Sequence, residues 1–383
     1  MRIFFKLLVS CFLTIAVCFV CIKYLVQSNN LQRELVRKDI VFIMKTLIEN
    51  HPGPKNLQDP EFMKVLNAAH REVIADTEKV FTKKEHIDLL KKYTKYFNDK
   101  HLSIFIKHQH ARVKKQPLQK RGFSLREFMP GITWVTLPTF GPRGQEQVEK
   151  LQDIIIQMPK YRNNRLIIFD VRGNDGGSSA WGEKIIKSLF GKEYAEKKIN
   201  ELDQNVYVDW RVSKGNVEHI YMLMDKLKKQ FGEQSKEVEW ASKLYNEIAY
   251  ALKKGVSFYS EYGDISESSA TIKSSPQNMC SAKILVLIDK FCFSACLDFL
   301  DQLKNLDCPV FLIGQTTSAD TLYMDVRSVE LPSKLGKFQF PMKVYRNRRR
   351  ASNQPHHPDV VYSGNFNDTQ QVEQWLKQSV INQ

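Results

Sequence analysis

Three short stretches of the sequence contain residue types that can perform nucleophilic catalysis. The glycine-rich stretch DVRGNDGGSS begins at Asp170, Ser294 lies in FCFSACLDF, and His101 lies in NDKHLSIF. A serine hydroxyl attacks a carbonyl carbon when a neighbouring base takes its proton. Backbone N–H groups beside glycines can stabilise the resulting oxyanion, because glycine allows close approach of the backbone. Each stretch also has a simpler structural interpretation.

The spacing of the glycines argues against nucleotide binding. Gly173, Gly176 and Gly177 do not match the G-x-G-x-x-G pattern of dinucleotide-binding loops, and the Gly-Lys-Ser/Thr of a phosphate-binding loop is absent. By itself the stretch predicts a turn between a strand and a helix, in which glycines supply positive φ angles. A backbone cradle for an oxyanion is the alternative. An ion pair between Asp170 and Arg172 would brace the loop in either case.

Ser294 and His101, each taken alone, also allow two interpretations. Ser294 stands at the predicted start of a helix, where a serine is most often the N-cap. The functional alternative is a nucleophile whose oxyanion is stabilised by the N–H of Ala295. An isolated histidine such as His101 is typical of a surface or capping position. As a general base, His101 would have to lie about 3 Å from the nucleophile.

The elements that position these residues follow an α/β pattern. Apolar residues at helical spacing predict an N-terminal helical bundle over residues 29–98. Buried-type strands such as RLIIFDV, AKILVLIDK and PVFLIG then alternate with helices, which predicts an α/β domain over residues 99–383. Amphipathic segments rich in Lys and Glu within residues 193–275 predict a helical insertion into that domain.

The chain carries a formal net charge of +15, concentrated in two segments. These segments are Lys107–Arg126 and Lys343–Arg350. Neither contains the interleaved aromatic residues of a single-strand groove, and no known nucleic-acid-binding module is evident. We therefore expect solvated basic faces and no nucleic-acid partner.

The N-terminus predicts export. Arg2 and Lys6 precede an apolar segment over residues 7–26, and positive residues in that position direct the following chain outward. Residues 1–28 therefore form either a cleaved signal peptide or a signal anchor, which would hold the protein to the membrane through residues 7–26. Both alternatives place the rest of the chain outside the cytoplasm, either secreted, periplasmic or membrane-anchored.

Four cysteines follow the N-terminal segment: Cys280, Cys292, Cys296 and Cys308. Their spacing matches no zinc-binding pattern. Cys280 and Cys308 each precede an apolar strand, and the two thiols would start side by side if those strands are parallel neighbours. An exported location permits oxidation, which would allow a disulfide between these two residues, but the sequence does not determine the pairing among the four.

Taken together, the three stretches resemble the C-terminal-processing and tricorn-type serine peptidase family, which includes interphotoreceptor retinoid-binding-protein-like members. DVRGNDGG resembles the D-x-R-x-N-x-G-G signature of the family, VLIDKFCFSACLDF its serine-bearing turn, and NDKH its D-x-H element. LIGQTT and HHPDVVY resemble its later G-x-x-T and P-D elements. The resemblance covers most of the chain after the N-terminal segment and implies a ClpP/crotonase-like spiral core.

The resemblance also implies roles for individual residues. Ser294 would be the nucleophile and His101 the general base. The N–H of Ala295, with that of Gly176 or Gly177, would form the oxyanion hole. Supporting positions in the signature are Asp170, Arg172 and Asn174.

Two departures from the family pattern bear on the base. The region after G-x-x-T reads GQTTSADTLYMDV and has no lysine, which favours the Ser/His branch over a Ser/Lys arrangement. Related members place a glutamate near the P-D element to orient the histidine, where this chain offers Gln354 or Asn353 and no acid. Asp99 and Asp320 are alternative orienting groups. The chain between His101 and GITWV is too short for the PDZ domain that many members carry.

These observations predict a serine-type peptidase acting on a peptide or protein substrate through an acyl-enzyme on Ser294, with no metal or cofactor. The first alternative is a catalytically degenerate family member that binds a peptide or a small apolar ligand in the same cleft. A more distant alternative is a crotonase-like acyl-thioester enzyme, against which export argues because coenzyme A is an intracellular substrate.

Overall fold

A computed structural model describes residues 30–106, 121–262 and 276–378 of the chain. The predicted signal or anchor segment lies outside the described residues. Among the residues described, no helix is both long and apolar enough to cross a membrane. The chain divides into two compact units. Unit 1 contains the described residues of Met1–Ala111, Val208–Glu261 and Tyr323–Tyr345, and unit 2 those of Arg112–Tyr207, Tyr262–Leu322 and Arg346–Gln383.

The described part of the chain contains ten α-helices and eleven β-strands. The helices are α1 (residues 30–50), α2 (Glu61–Asp76), α3 (Lys83–Lys95), α4 (Gly144–Gln157), α5 (Ser179–Phe190), α6 (Lys192–Leu202), α7 (Lys214–Phe231), α8 (Lys236–Lys253), α9 (Ala295–Lys304) and α10 (Thr369–Leu376). The strands are β1 (Ser103–Ile106), β2 (Ser124–Met129), β3 (Ile132–Thr136), β4 (Leu166–Asp170), β5 (Tyr207–Arg211), β6 (Phe258–Tyr262), β7 (Lys283–Ile288), β8 (Val310–Gly314), β9 (Tyr323–Glu330), β10 (Gly336–Arg346) and β11 (Val360–Val361).

Unit 1 begins with the three helices that the apolar periodicity predicted. Helix α1 ends just before His51-Pro52, since the residue before a proline disfavours helical backbone angles. Helix α3 begins with a capping box, in which the Thr82 hydroxyl accepts a hydrogen bond from the Glu85 N–H at 3.2 Å. Helix α3 then leads through a short turn containing His101 into β1.

The sheet of unit 1 joins strands that are distant in sequence. Its order is β1-β10-β5-β6, with β9 paired to β10. Strands β1 and β9 both run antiparallel to β10. The interval 193–275, predicted as a helical insertion, contains α6, α7 and α8. It also contains β5 and β6, which the sequence pattern did not predict and which extend this sheet.

Unit 2 is built on a six-stranded sheet of order β11-β8-β7-β4-β3-β2. Only β2 is antiparallel to its neighbour among the pairings described, and the other five strands run parallel. Alternating residues of β4 face opposite sides. Ile167 and Phe169 pack with α4, α5 and α9, whereas Ile168 packs with α10. Burial on both faces explains the continuous apolar runs that marked these strands in the sequence.

The sheet topology brings two of the candidate stretches together. Strands β4 and β7 are parallel neighbours, with Asp170 paired to Leu287. Their carboxyl ends therefore lie at the same edge of the sheet, where ligand sites of α/β sheets form. The glycine loop follows β4, and the turn containing Ser294 follows β7.

No disulfide joins Cys280 and Cys308 in this structure, where both thiols are free. Strands β7 and β8 are parallel neighbours as assumed, but Ile284 pairs with Val310. Cys280 precedes its paired residue by four positions and Cys308 by two. Continued at this register, the two Cα atoms would lie about 8 Å apart, beyond the roughly 7 Å limit for a disulfide. Burial and the nearby Cys280 raise the pKa of Cys308 to about 12.

The prediction of a solvated basic face over Lys343–Arg350 is wrong for Arg346 and Arg350, which are buried. Arg349, which directly precedes Arg350 in the sequence, is exposed at the surface. Sequence alone gives no sign of this difference, because it depends on carboxylates contributed by elements elsewhere in unit 2. Most of the other basic segment, residues 107–120, lies outside the described residues.

Candidate active site

The glycine loop after β4 uses its glycines for backbone conformations that other residues avoid. Gly173, Gly176 and Gly177 have φ angles of +79°, +97° and +136°. Phe140 pairs with Gly177 in an isolated bridge, through bonds of 2.8 Å from Phe140 N–H to the Gly176 carbonyl and from Ser178 N–H to the Phe140 carbonyl. A methyl group on Gly177 would lie 2.1 Å from the Phe140 carbonyl carbon. The predicted turn between strand and helix is therefore confirmed, and its close approach to Phe140 requires glycine.

Asn174 connects this loop to its surroundings. Its completely buried side-chain amide donates to the Leu137 carbonyl at 2.9 Å and accepts from the Gly176 N–H at 3.0 Å. Its backbone carbonyl accepts from the Phe293 N–H at 3.1 Å. One residue thus fixes the glycine loop against both β3 and the turn that carries Ser294. A buried residue with two side-chain hydrogen bonds and one backbone hydrogen bond is a rigid support.

The ion pair predicted between Asp170 and Arg172 is present and buried. Arg172 donates from Nε and Nη2 to the two carboxylate oxygens of Asp170, at 2.7 and 2.6 Å. Its Nη1 donates to the Phe366 carbonyl at 2.7 Å, and its guanidinium stacks over the Phe366 ring. Bidentate pairing suits the planar guanidinium, so the base of the loop is fixed to the segment that leads into α10.

Sequence reasoning missed Arg121, which also supports the loop. Its Nη2 donates to the Arg172 carbonyl at 3.1 Å, and its Nη1 lies 3.8 Å from a carboxylate oxygen of Asp170. Only 11% of the side chain is exposed, and burial lowers the pKa of the guanidinium although Asp170 opposes the shift. Membership of a long basic segment gave no signal that one of its arginines would be internal.

Ser294 has an unusual backbone conformation. It follows β7 after a tight turn in which the Cys292 N–H donates to the Asp289 carbonyl at 3.0 Å. Its φ is +55° and its ψ is −126°, angles typical of glycine at the first central position of a type II′ turn. Its side chain makes no capping hydrogen bond to α9. Both observations argue against the N-cap interpretation, because N-cap residues have extended angles and accept from the helix.

The glycine loop lies directly against Ser294. A methyl group on Gly176 would be 2.8 Å from the Ser294 Cβ and from the Phe293 carbonyl oxygen. It would also be 3.1 Å from the Ala295 nitrogen. The structure therefore brings the predicted nucleophile and the predicted oxyanion donors together in unit 2. Only glycine at this position leaves the space between them open.

The hydrogen bonds distinguish Gly176 from Gly177, which the sequence left as alternative oxyanion donors. The Gly176 N–H already donates to the Asn174 side chain. The N–H groups of Gly177 and Ala295 have no acceptor among the residues that the structure describes. Ala295 is the first residue of α9, whose N-terminal N–H groups lack partners within the helix. Two backbone donors are thus unbonded here: that of Ala295, which follows Ser294 in the chain, and that of Gly177, which follows the glycine that packs against Ser294.

His101 lies in unit 1, in the turn between α3 and β1, and is buried together with Asp99. The His101 N–H donates to the Asp99 carboxylate at 2.8 Å, and the same oxygen lies 3.4 Å from Nδ1 of the imidazole. The Asp99 carboxylate therefore lies beside the Nδ1 edge of the imidazole. The pairing of His101 with Ser294 stays a prediction of the sequence.

A second histidine of unit 1, His51, is unsuited to act as a base. It is completely buried and stacks on Phe62 with ring centroids 4.6 Å apart. Its Nδ1 accepts from the Gly53 N–H at 2.9 Å. Burial lowers its pKa to about 3, against an opposing effect of Asp99. At neutral pH such a group is uncharged and too weakly basic for proton abstraction.

The two orienting groups predicted from the later elements lie in unit 2. Gln354 is exposed, and its Oε1 accepts from the Ala351 N–H at 2.9 Å within a local turn. Asp320 is buried and paired with Arg348 and Arg350. Each side chain therefore already has a protein partner, whereas Asp99 contacts the histidine itself. No cluster of three or more potential metal ligands occurs within the described ranges.

The sequence from residue 131 to residue 362 matches the model for peptidase family S41. The chain belongs to peptidase family S41. The match spans more than half of the chain and includes both the glycine loop and Ser294. It confirms the resemblance to the C-terminal-processing serine peptidases, and a serine peptidase is the activity that this family membership supports. His101 precedes the matched residues.

Solved structures similar to this S41 chain have low sequence identity. Mature CPAF is 10% identical with a TM-score of 0.53, covering 86% of this chain and 93% of its own. A lipoprotein from Streptococcus agalactiae is 14% identical with a TM-score of 0.45, covering 90% and 96%. The photosystem II D1 C-terminal processing protease is 13% identical with a TM-score of 0.32, covering 65% and 47%. The likeness to CPAF supports the α/β fold alone. No curated protein sequence matches the chain significantly.

Proposed function

We propose that this protein hydrolyses peptide bonds through an acyl-enzyme on Ser294. The observation that carries the proposal is the strained backbone of Ser294 at the start of α9, without a capping hydrogen bond. Strained angles on a residue other than glycine persist only where the surrounding structure imposes them, and they concentrate at active sites. A sharp turn between strand and helix also exposes a serine hydroxyl to an incoming carbonyl.

The oxyanion hole in this proposal consists of the N–H groups of Ala295 and Gly177. Ala295 directly follows Ser294, Gly177 follows the glycine that packs against Ser294, and the N-terminus of α9 adds its partial positive charge. Donors that are fixed before the reaction stabilise the oxyanion without reorganising. Asn174 supports this arrangement, since its bonds to Gly176 and Phe293 hold the two donor segments at a constant separation.

His101 is the proposed general base, and Asp99 is its proposed orienting group in place of Gln354. In the first step His101 accepts the Ser294 proton while the hydroxyl oxygen attacks the peptide carbonyl carbon. The oxyanion collapses, the C–N bond breaks and the amine leaves with the proton from His101. Water then attacks the ester with His101 again as base, which releases the acid and restores Ser294. Asp99 would stabilise the imidazolium formed at both steps.

Labelling with a fluorophosphonate probe tests the proposed nucleophile. The probe phosphonylates activated serines, so we expect covalent labelling of the purified chain, with the modified tryptic peptide containing Ser294. Prior heat denaturation should prevent labelling, because the free N–H groups and the strained turn exist only in the fold. A folded chain without labelling at Ser294 would leave the non-catalytic binding alternative as the better interpretation.

Substitution of Asp99 tests the proposed orienting group. Asp99→Asn retains an acceptor for the His101 N–H but removes the charge beside Nδ1, so we expect labelling to slow by about 100-fold. Gln354→Ala should change the rate by less than about twofold, because Gln354 is exposed and bonded only within its own turn. Equal losses of labelling rate in the two variants, or a loss only in Gln354→Ala, would indicate that Gln354 orients the histidine.

We further propose that the protein acts outside the cytoplasm. The support is the sequence alone, in which Arg2 and Lys6 precede the apolar residues 7–26. Recovery of the protein from its native cells and sequencing of its N-terminus distinguishes the two forms. A start near residue 28 indicates a cleaved signal peptide, and an intact N-terminus in the membrane fraction indicates an anchor. A cytosolic intact chain would refute export.

A further inference from the structure

Three aspartates lie on or beside α9, the helix that begins after Ser294. Asp298 and Asp301 lie on α9 itself, and Asp320 lies in the loop after β8. Asp298 is in the first turn of α9, where its N–H donates to the Ser294 carbonyl at 3.3 Å. Carboxylates at this end of a helix offset the partial positive charge of the N-terminus. Left uncompensated, they would oppose the formation of an oxyanion at Ser294.

Arg350 contacts all three carboxylates with one guanidinium group. Its Nε lies 2.8 Å from Asp301 and its Nη2 3.1 Å from Asp298, while its Nη1 donates to Asp320. Only 4% of the Arg350 side chain is exposed. Arg348 adds a second cation, with Nη2 at 2.5 Å from Asp298 and Nη1 at 3.3 Å from Asp320. Charge pairs shielded from water in this way keep much of their strength.

The same guanidinium fixes the loop that borders the serine turn. The Ser318 N–H donates to the carbonyl of Cys292, two residues before Ser294, at 3.1 Å. The Asp320 carbonyl in turn accepts from the Asn353 N–H at 2.7 Å. Arg350 therefore joins α9 to the loop whose backbone supports the turn, and it balances the charge of both.

We propose that Arg350, assisted by Arg348, is a positioning residue for the acylation step. It neutralises the carboxylates behind Ser294, so that the N-terminus of α9 retains its attraction for the developing oxyanion, and it holds the bordering loop in place. This inference rests on the proposed role of Ser294 as nucleophile. Asp320 is completely inaccessible to solvent and pairs with both Arg348 and Arg350, and Asp301 pairs with Arg350 and lies 3.0 Å from His356.

The test measures the inactivation rate constant and the binding constant of the fluorophosphonate probe separately, in folded variants verified by circular dichroism. Arg350→Gln should lower the rate constant by about tenfold to a hundredfold, because unpaired charges then face the oxyanion, with little change in binding. Arg349→Gln is the matched control. Among the described residues its exposed side chain bonds only Asn305 and the Glu201 carbonyl, so both constants should stay within about twofold of wild type.

Two further variants separate the charge effect from a general loss of structure. Arg350→Lys retains the cation, and the double variant Arg350→Gln with Asp320→Asn removes a carboxylate together with its partner. Both should keep the rate constant within about fivefold of wild type, even if Arg350→Gln alone does not fold.

The outcomes distinguish the inference from the proposed function. The inference is overturned if both rescue variants fold but remain more than tenfold slower than wild type, or if folded Arg350→Gln reacts at the wild-type rate. If wild type and Arg349→Gln are both folded and neither is labelled at Ser294, the proposed nucleophile fails and this inference fails with it.

Discussion

Ser294→Gly is expected to abolish hydrolysis and, at the same time, to make the fold more stable than Ser294→Ala. Loss of the hydroxyl in either variant should reduce turnover by about 10⁴- to 10⁶-fold. The strain of a φ of +55° with a ψ of −126° costs a residue with a Cβ about 1–3 kcal/mol. Glycine relieves that strain, although its greater chain entropy on unfolding offsets about 0.5–1 kcal/mol.

The measurement is thermal unfolding of the two inactive variants under identical conditions. A net gain of about 1 kcal/mol corresponds to a melting temperature about 2 °C higher for the glycine variant. Ser281→Gly is the control, because Ser281 is exposed and its φ is not positive, so this change should be neutral or destabilising. If Ser294→Gly melts no higher than Ser294→Ala, the serine turn is not strained, and the main support for a nucleophile at this position is lost.

The second large effect is expected at Gly177. A methyl group there would lie 2.1 Å from both the carbonyl carbon and oxygen of Phe140, and 2.2 Å from the Gly141 nitrogen. Gly177→Ala must therefore separate the loop from Phe140, which displaces the Gly177 N–H. We expect a loss of about 10³-fold in acylation rate, as for removal of an oxyanion donor. Backbone strain and overpacking should also lower the free energy of unfolding by about 2–4 kcal/mol.

Gly122→Ala provides the matched control for this prediction. Gly122 lies in unit 2 and does not require a positive φ, and a methyl group added to it would meet no described atom within 4 Å. Its substitution should leave both the acylation rate and the stability within experimental scatter, or raise the stability slightly. An active, stable Gly177→Ala variant would instead assign the second donor to a group other than the Gly177 N–H.

Most residues of the candidate site could be predicted from the sequence, because their types and spacing within short stretches indicate the chemistry. The stretch from Asp170 to Gly177 contains an acid, a base, an amide and glycines at the spacing of the family signature. The structure uses the acid and base as a bidentate pair and the amide side chain to bond two backbone groups. Strands β4 and β7 could also be predicted from the sequence, since burial on both faces requires continuous apolar residues.

The two strands within residues 193–275, β5 and β6, could not be predicted from the sequence. Strand β5 reads YVDWR and β6 reads FYSEY, so each mixes polar and apolar residues in a short segment between long amphipathic helices. What makes them strands is pairing with β10 and with each other, partners more than forty residues away for every pair. Short segments of this kind acquire their structure from tertiary contacts, which override local preference.

The sequence by itself determined the family, the nucleophile candidate and the loop that faces it, because those depend on residue types at fixed short spacings. Only the tertiary structure decided which glycine has an available N–H, since Asn174 binds that of Gly176. It also decided that a carboxylate oxygen of Asp99 lies 3.4 Å from Nδ1 of the His101 ring, and that Arg350 is internal while Arg349 is exposed. Hydrogen bonds and charge pairs form between groups that lie close together in space. No short stretch of the chain shows which distant segments will come together.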